Sequence, residues 1–316
     1  MLHLYVSIMH NKVVRGQHLN SYSPQIRRRQ QKPRSKRLGL FSIVATTVVV
    51  GLVGWFVFGK GEPDDKGAQS DQPLSQNGTS QNNEEQTKPP LVDLQPVVDT
   101  WLAKQSAEYG VVVYDPANQK AIAVHNADRK FFAASLYKLF VAYLALADFQ
   151  DGKQDPNAVL TGGFTYKQCV DKMIRESHSP CGEAMMADIG QETLRQRVAA
   201  MGINNTIFAG ITTTAHDSAL ILQYIVEGRD LNAENTVFLK DAMRVQDAKF
   251  RKGLATGAPQ ATWETKVGWN ETYNYHDIGI MTLPSGRQYV VAILSQNNGK
   301  AAPIADFAAT IYSALK

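Results

Sequence analysis

Short β-strand patterns stand at both ends of residues 94–316, and helical patterns fill the middle of this region. The strand patterns are apolar runs rich in Val, Ile and Tyr and bounded by turn residues. They cover residues 110–114, 121–125, 262–268, 276–283 and 288–296. Strands from the two ends can join one sheet if the helices pack against it. The order therefore predicts an α/β fold of the α+β type, with a five-stranded antiparallel sheet flanked by helices and an all-helical subdomain.

The helical patterns have a 3.6-residue apolar period. The first is an amphipathic segment, residues 95–108, which places Val98 and Trp101 on one side. Further helices are predicted over 135–149, 182–201 (in two pieces broken at Gly190), 216–227, 233–244 and 302–315. Helices of this length can cover one face of the sheet and also form a subdomain of their own.

Before this region, Gly39–Phe58 reads GLFSIVATTVVVGLVGWFVF and contains no charged residue. A run of about 20 apolar residues is long enough to cross a bilayer as a helix. A cleaved signal peptide is the main alternative, but the run is long for one and no clear small-x-small cleavage site follows it. A buried core helix is the third interpretation. We expect an uncleaved transmembrane helix.

Charge is distributed unevenly along the chain, although the formal net charge is only +4. Residues 1–38 contain nine Lys and Arg residues and no acid, whereas acids outnumber bases after residue 60. Basic residues before a span place the N-terminus in the cytoplasm, so this arm is not expected to bind nucleic acid. Residues 59–92 are polar and poor in apolar side chains, which predicts a flexible extracytoplasmic linker. The folded domain should cover residues 93–316, outside the membrane.

The strongest local motif is Ser135-Leu136-Tyr137-Lys138, which opens an apolar helical segment. Residues i and i+3 share a helical face, so Lys138 can reach the hydroxyl of Ser135. A desolvated, neutral Lys is one way to activate a serine hydroxyl as a nucleophile. Free N–H groups at a helix start are suited to a developing oxyanion. Alone, the pattern is weak, because a helix-capping Ser followed by a solvated Lys gives the same spacing.

Two further motifs follow in order, Ser177-His178-Ser179 and Lys266-Val267-Gly268, the second on a predicted strand. With Ser135 and Lys138 they resemble the S-x-x-K, S-D-N and K-T-G signature of class A β-lactamases and penicillin-binding proteins. The resemblance covers residues 94–316 in the order of the elements. It implies a class A β-lactamase-like fold.

The resemblance also implies roles for individual residues. Ser135 would be the acylated nucleophile and Lys138 its general base or proton relay. Ser177 would pass a proton to the leaving nitrogen, and Lys266 would orient Ser177 and attract the substrate carboxylate. The substrate-binding residues would be Ser179, Val267, Gly268 and Trp269, with the N–H groups of Ser135 and Trp269 forming an oxyanion hole.

The chain departs from the family pattern at three places. His178 and Ser179 replace Asp and Asn, and Ser179 has fewer donors for a substrate amide. Val267 replaces a Thr hydroxyl. The loop with the E-x-x-L-N motif is missing, since no acid lies in Ile207–Ile211. In the family that Glu activates the deacylating water. Glu176 and Glu183 flank the Ser177 motif, and we place them on solvated helix faces.

The two cysteines, Cys169 and Cys181, bracket the Ser177 motif. In an oxidising exterior they could form a disulfide, but two buried free thiols are an equal alternative. No Cys/His cluster has metal-ligand spacing, and we expect neither a metal nor another cofactor. His178 and His216 are interpreted as surface or structural residues.

Three functions remain open from the sequence. The first is a membrane-anchored serine β-lactamase with slow deacylation. The second is a peptidoglycan D,D-peptidase or transpeptidase that acts on D-Ala-D-Ala-type substrates, and the third is a sensor or binding module of the penicillin-binding fold. The expected partners are a β-lactam or peptide acyl substrate and the bilayer around residues 39–58. We expect a monomer.

Overall fold

The computed structural model describes residues 89–316. The predicted basic arm (1–38), the transmembrane helix (39–58) and most of the linker (59–92) lie outside the described residues. Between residues 89 and 316, none of the helices combines the length and apolar character needed to cross a bilayer.

The strands of the described region form one large sheet and two small ones. They are β1 (Glu108–Asp115), β2 (Lys120–His125), β3 (Phe131–Phe132), β4 (Val159–Thr161), β5 (Phe164–Thr165), β6 (Thr212–Thr213), β7 (Thr262–Asn270), β8 (Asn274–Thr282) and β9 (Gln288–Gln296).

The helices cover both faces of the large sheet. In sequence, most of them lie between β2 and β7. They are α1 (Gln95–Leu102), α2 (Tyr137–Gln150), α3 (Tyr166–Arg175), α4 (Ser179–Ile189), α5 (Gln191–Ala200), α6 (Ala215–Val226), α7 (Ala233–Arg244), α8 (Leu254–Gly257) and α9 (Ala302–Leu315).

The large sheet has the strand order β2-β1-β9-β8-β7, and every neighbouring pair is antiparallel. The chain's first and last strands meet in its centre, where Val112 of β1 lies opposite Ala292 of β9. Both strands are almost wholly buried because helices cover both faces. The predicted five-stranded antiparallel sheet, assembled from the two ends, is confirmed.

Successive side chains of β1 point to opposite faces of the sheet and enter different apolar clusters. Val111 and Val113 pack with Trp101 of α1 and Phe307 of α9. Val112 packs on the other face with the helical subdomain, whose centre is α2. Ten consecutive residues of α2, Tyr137–Leu146, are buried. This helix is therefore enclosed by protein on all sides rather than amphipathic.

The predicted first helix, residues 95–108, is too long. In the structure α1 ends at Leu102, and Glu108 already begins β1, where it pairs with Gln296 of β9. The intervening residues Lys104 and Gln105 are polar and offer no apolar contact that would hold another helical turn on the core. Residues from Glu108 onward instead pair with β9 and so join the sheet. The predicted break at Gly190 is confirmed, since this glycine has φ +89° between α4 and α5.

Candidate active site

Ser135 lies in a short 3-10 turn, Ala134–Leu136, directly before α2. Ala134 has φ +46°, a left-handed backbone conformation that costs energy for a residue with a Cβ and is often found at functional sites. The residue before the turn is held in place, because the N–H of Ala133 donates to the carbonyl of Ile211 (2.9 Å). The hydroxyl of Ser135 does not cap a helix. It is free for the contact with Lys138.

Lys138 is buried in the first turn of α2, with a side chain that returns to Ser135. Its Nζ is 3.1 Å from Ser135 Oγ, 3.2 Å from Ser179 Oγ and 2.6 Å from the carbonyl oxygen of Ser177. Burial lowers the pKa of Lys138 to about 8, and the negative charge of Glu183 partly offsets that effect. A neutral lysine is therefore accessible near neutral pH, and it can accept the proton of Ser135.

Ser177 lies in the loop between α3 and α4, with φ +55°. Its hydroxyl accepts a hydrogen bond from Nζ of Lys266 (3.0 Å). The disulfide that the sequence left undecided is present: Cys169 of α3 is joined to Cys181 of α4, across the loop. The ring of His178 accepts from the N–H of Cys181 (3.3 Å), so His178 is a structural helix cap. The Ser177 loop is thus tied down on both sides.

Lys266 is fully buried on β7, and its Nζ donates to Ser177 Oγ and to the carbonyl of Val267 (3.0 Å). Burial holds the pKa of Lys266 well below its ordinary value, the nearby charge of Lys138 lowers it further, and Asp277 raises it. Because burial and the mutual repulsion of two charges both oppose ionisation, the neutral form of the two lysines is favoured. We call Ser135, Lys138, Ser177 and Lys266 the lysine–serine cluster.

The other β7 residues predicted to bind substrate lie in different environments. Gly268 is packed so closely that a Cβ there would come within 2.6 Å of the carbonyl oxygen of Ala133. A glycine is thus needed for β7 to approach the turn that carries Ser135. The side chain of Val267 is buried in the apolar cluster on the opposite face, so it does not line the site. The indole of Trp269 is partly exposed and donates to the carbonyl of Gly299 (3.1 Å).

Residues 203–211, where the resemblance leads us to expect the E-x-x-L-N motif, form a short segment that we call the short loop. Its polar groups hold the loop itself in place. Thr206 Oγ1 contacts Thr213 Oγ1 and donates to Asp217 Oδ2, both at 2.8 Å. Asp217 Oδ2 also accepts from the N–H of Asn205 (2.8 Å). The nearest acid to the loop is therefore engaged in fastening it.

Two side chains that belong to none of the sequence motifs fix the chain before Ser135. His276 Nε2 contacts the carbonyl of Phe132 at 2.8 Å, and Asn274 Nδ2 donates to the same oxygen at 3.1 Å. Burial lowers the pKa of His276 to about 4, so the ring is neutral at physiological pH. No local motif marks these residues, because their partner is more than 140 positions away in sequence.

The two glutamates that flank the Ser177 motif differ in their contacts. Both carboxylate oxygens of Glu176 accept from Nζ of Lys172 (2.9 and 3.0 Å). Glu183 is exposed, as expected, but it lies on α4 one turn beyond Ser179. The four-residue spacing between Ser179 and Glu183 could have indicated that Glu183 lies near the site. Across residues 89–316, no group of three His, Cys, Asp or Glu side chains is placed to hold a metal ion.

Comparison with known proteins agrees with this architecture. Residues 93–315, which include the whole lysine–serine cluster, match the Beta-lactamase enzyme family. A beta-lactamase of Mycobacterium tuberculosis is 34% identical over 90 residues, which cover 28% of this chain and 29% of that protein. The match therefore spans less than a third of this relative's length.

Two solved structures share the fold. A beta-lactamase from Chitinophaga pinensis has a TM-score of 0.64 at 16% identity, covering 69% of this chain and 98% of that one. The structure of PBP-A has a TM-score of 0.63 at 21% identity, covering 72% of this chain and 97% of that one. Both the sheet and the helical subdomain thus belong to a known architecture.

Proposed function

The chain belongs to the beta-lactamase enzyme family, and we propose that it opens β-lactam rings through an acyl-enzyme formed on Ser135. The observation that carries this proposal is the connected lysine–serine cluster. Lys138 Nζ bridges Ser135 Oγ and the Ser177 carbonyl, and Lys266 Nζ reaches Ser177 Oγ. The cluster supplies a nucleophile, a base and a proton donor in contact with one another.

Acylation then proceeds with balanced proton transfers. Neutral Lys138 accepts the proton of Ser135, whose Oγ attacks the lactam carbonyl carbon. The N–H groups of Ser135 and Trp269 are assigned to the oxyanion of the tetrahedral intermediate. Ser177 gives its proton to the leaving nitrogen as the C–N bond breaks, and Ser177 is reprotonated through the neighbouring lysines. The buried Lys266 keeps the Ser177 hydroxyl oriented through the hydrogen bond from its Nζ.

Deacylation is expected to be slower than acylation. It needs a base that positions water against the ester, and such a base typically contributes about 10²–10⁴-fold. The short loop contains no acid between Ile207 and Ile211, and Asp217 is engaged in holding the loop. We therefore propose an enzyme that accumulates its acyl-enzyme.

A peptidoglycan D,D-peptidase or transpeptidase is the second candidate function. It is favoured by the likeness to PBP-A and by the same missing acid, because a long-lived acyl-enzyme can await an acceptor amine. Its substrate would be a D-Ala-D-Ala-type peptide. A sensor or binding module would be acylated on Ser135 in the same way but would not release the acyl group.

We also propose that residues 39–58 anchor the chain in the cell membrane, with the N-terminus in the cytoplasm. The support is the uncharged run with basic residues before it and Glu62, Asp64 and Asp65 after it. A C-terminal alkaline phosphatase fusion should then be active and a cytoplasmic fluorescent reporter dark. The reverse pattern would overturn this orientation.

Intact-mass spectrometry of the full-length chain after mixing with a penicillin tests the proposal. A transient adduct of one penicillin mass supports a β-lactamase. An adduct that persists for hours supports the peptidase or the sensor. The absence of any adduct would contradict every acyl-enzyme account of Ser135.

A further inference from the structure

The turn of α4 that follows Ser179 places an acid beside the lysine–serine cluster. Ser179 Oγ is 3.2 Å from Lys138 Nζ, and Glu183 is four residues later on the same helix. Residues i and i+4 lie on one helical face, one above the other. Both Ser179 and Glu183 are exposed. Glu183 therefore lies on the helical face that carries Ser179 and is exposed to solvent.

The packing of Gly182 shows how closely this turn approaches α2. A Cβ on Gly182 would lie 2.9 Å from Cε of Lys138 and 3.0 Å from the hydroxyl of Tyr137. The backbone that carries Glu183 is thus pressed against the first turn of α2. The charge of Glu183 raises the pKa of Lys138 and of Tyr137, although burial has the larger effect on each.

The other acids around the site are engaged elsewhere. Glu176 is held by Lys172, and Asp217 fastens the short loop. Asp277 of β8 pairs with Val267 of β7, so its side chain points to the same sheet face as Val267, and it accepts from the N–H of Leu254 (2.8 Å). Between residues 89 and 316 no ion pair involves Glu183. This carboxylate is available to bind a water molecule.

We propose that Glu183 is the general base that activates water for hydrolysis of the Ser135 ester. The inference rests on the proposed acyl-enzyme. The Glu183 carboxylate accepts a proton from water, and the water oxygen attacks the ester carbonyl carbon. When the bond from that carbon to Ser135 Oγ breaks, Oγ takes up a proton, which returns from Glu183 through Lys138. The ester and one water thus give a free acid and the Ser135 hydroxyl.

This position is also consistent with the slow deacylation proposed above. Glu183 is exposed on α4, so bulk water competes for its oxygens. A base in this setting is expected to catalyse hydrolysis more slowly than a buried carboxylate in a fixed position. The acyl-enzyme therefore has a finite lifetime in the wild type.

The test compares the full-length wild type with Glu183→Gln and the matched control Glu176→Gln. Each is mixed with a penicillin, and intact mass is followed from milliseconds to hours. Glu183→Gln should lengthen the acyl-enzyme lifetime by about 10²-fold, the lower end expected for loss of a general base, while acylation stays within about threefold. Glu176→Gln should match the wild type, and added formate should shorten the lifetime in Glu183→Ala.

Two results overturn the inference while leaving the proposed function intact. One is a Glu183→Gln acyl-enzyme that decays at the wild-type rate. The other is equal slowing of acylation and deacylation, which would show that Glu183 supports the lysine–serine cluster as a whole rather than the water step. A wild-type chain that never forms an adduct would overturn the proposed function and the inference together.

Discussion

The lysine–serine cluster and the short loop lie at the same site but are built in opposite ways. In the cluster, each charged or hydroxyl group contacts another member: Lys138 reaches Ser135 and Ser177, and Lys266 reaches Ser177. In the short loop, Thr206 and its partner Asp217 are used to hold the loop against α6. The difference indicates that the fold can retain the groups for acylation while the groups for water activation change.

The largest expected effect comes from removing the centre of the cluster. Ser135→Ala should abolish labelling by a fluorescent penicillin, because no other hydroxyl replaces the attacking Oγ. The thermal midpoint should stay nearly unchanged, since the Ser135 hydroxyl makes no helix-capping bond. Gel fluorescence and a melting curve measure the two outcomes. Labelling that persists in the variant would show that the nucleophile lies elsewhere.

Lys138→Met tests the base of the cluster. Loss of a general base should slow acylation by about 10²–10⁴-fold. In the wild type only the neutral amine accepts a proton, and its pKa is lowered to about 8 by burial. Acylation should therefore rise with pH up to about 8 and level off above it. The exposed Lys153→Met removes the same charge far from Ser135 and serves as the control. A flat pH profile in the wild type would contradict this role for Lys138.

The disulfide tests how far the cluster depends on the loop that carries Ser177. Replacing Cys169 and Cys181 by Ser should lower the free energy of unfolding by about 3 kcal/mol, as expected for a loop of this length. Acylation should fall as well, because Ser177 loses a tether. Chemical denaturation with and without reductant measures the stability effect. If reductant leaves the wild type as stable as before, the bond does not constrain this loop.

Much of the fold could be predicted from local sequence patterns. The five strands and the break at Gly190 follow from apolar runs and a residue that tolerates positive φ. The end of α1 at Leu102 could not, because pairing of Glu108 with Gln296 decides it. Residues far apart in sequence make that contact, and helical periodicity does not report it.

The candidate active site could likewise be predicted only in part from the sequence. The motifs located Ser135, Lys138, Ser177 and Lys266, which the structure brings into contact. They predicted Gly268 as a substrate-binding residue but did not indicate that its close neighbour is the carbonyl of Ala133. The side chain of Val267 was expected at the substrate, but strand alternation turns it into the apolar cluster. Packing across the sheet, rather than motif spacing, determined these two positions.

The central claim is that acylation of Ser135 outpaces deacylation. Stopped-flow absorbance of the full-length chain with a chromogenic cephalosporin tests it most directly. We predict a burst of about one product equivalent per enzyme, then a steady state roughly 10²-fold slower, since no fixed carboxylate in the short loop activates water. Fast linear turnover without a burst would contradict the claim and show that deacylation is at least as fast as acylation.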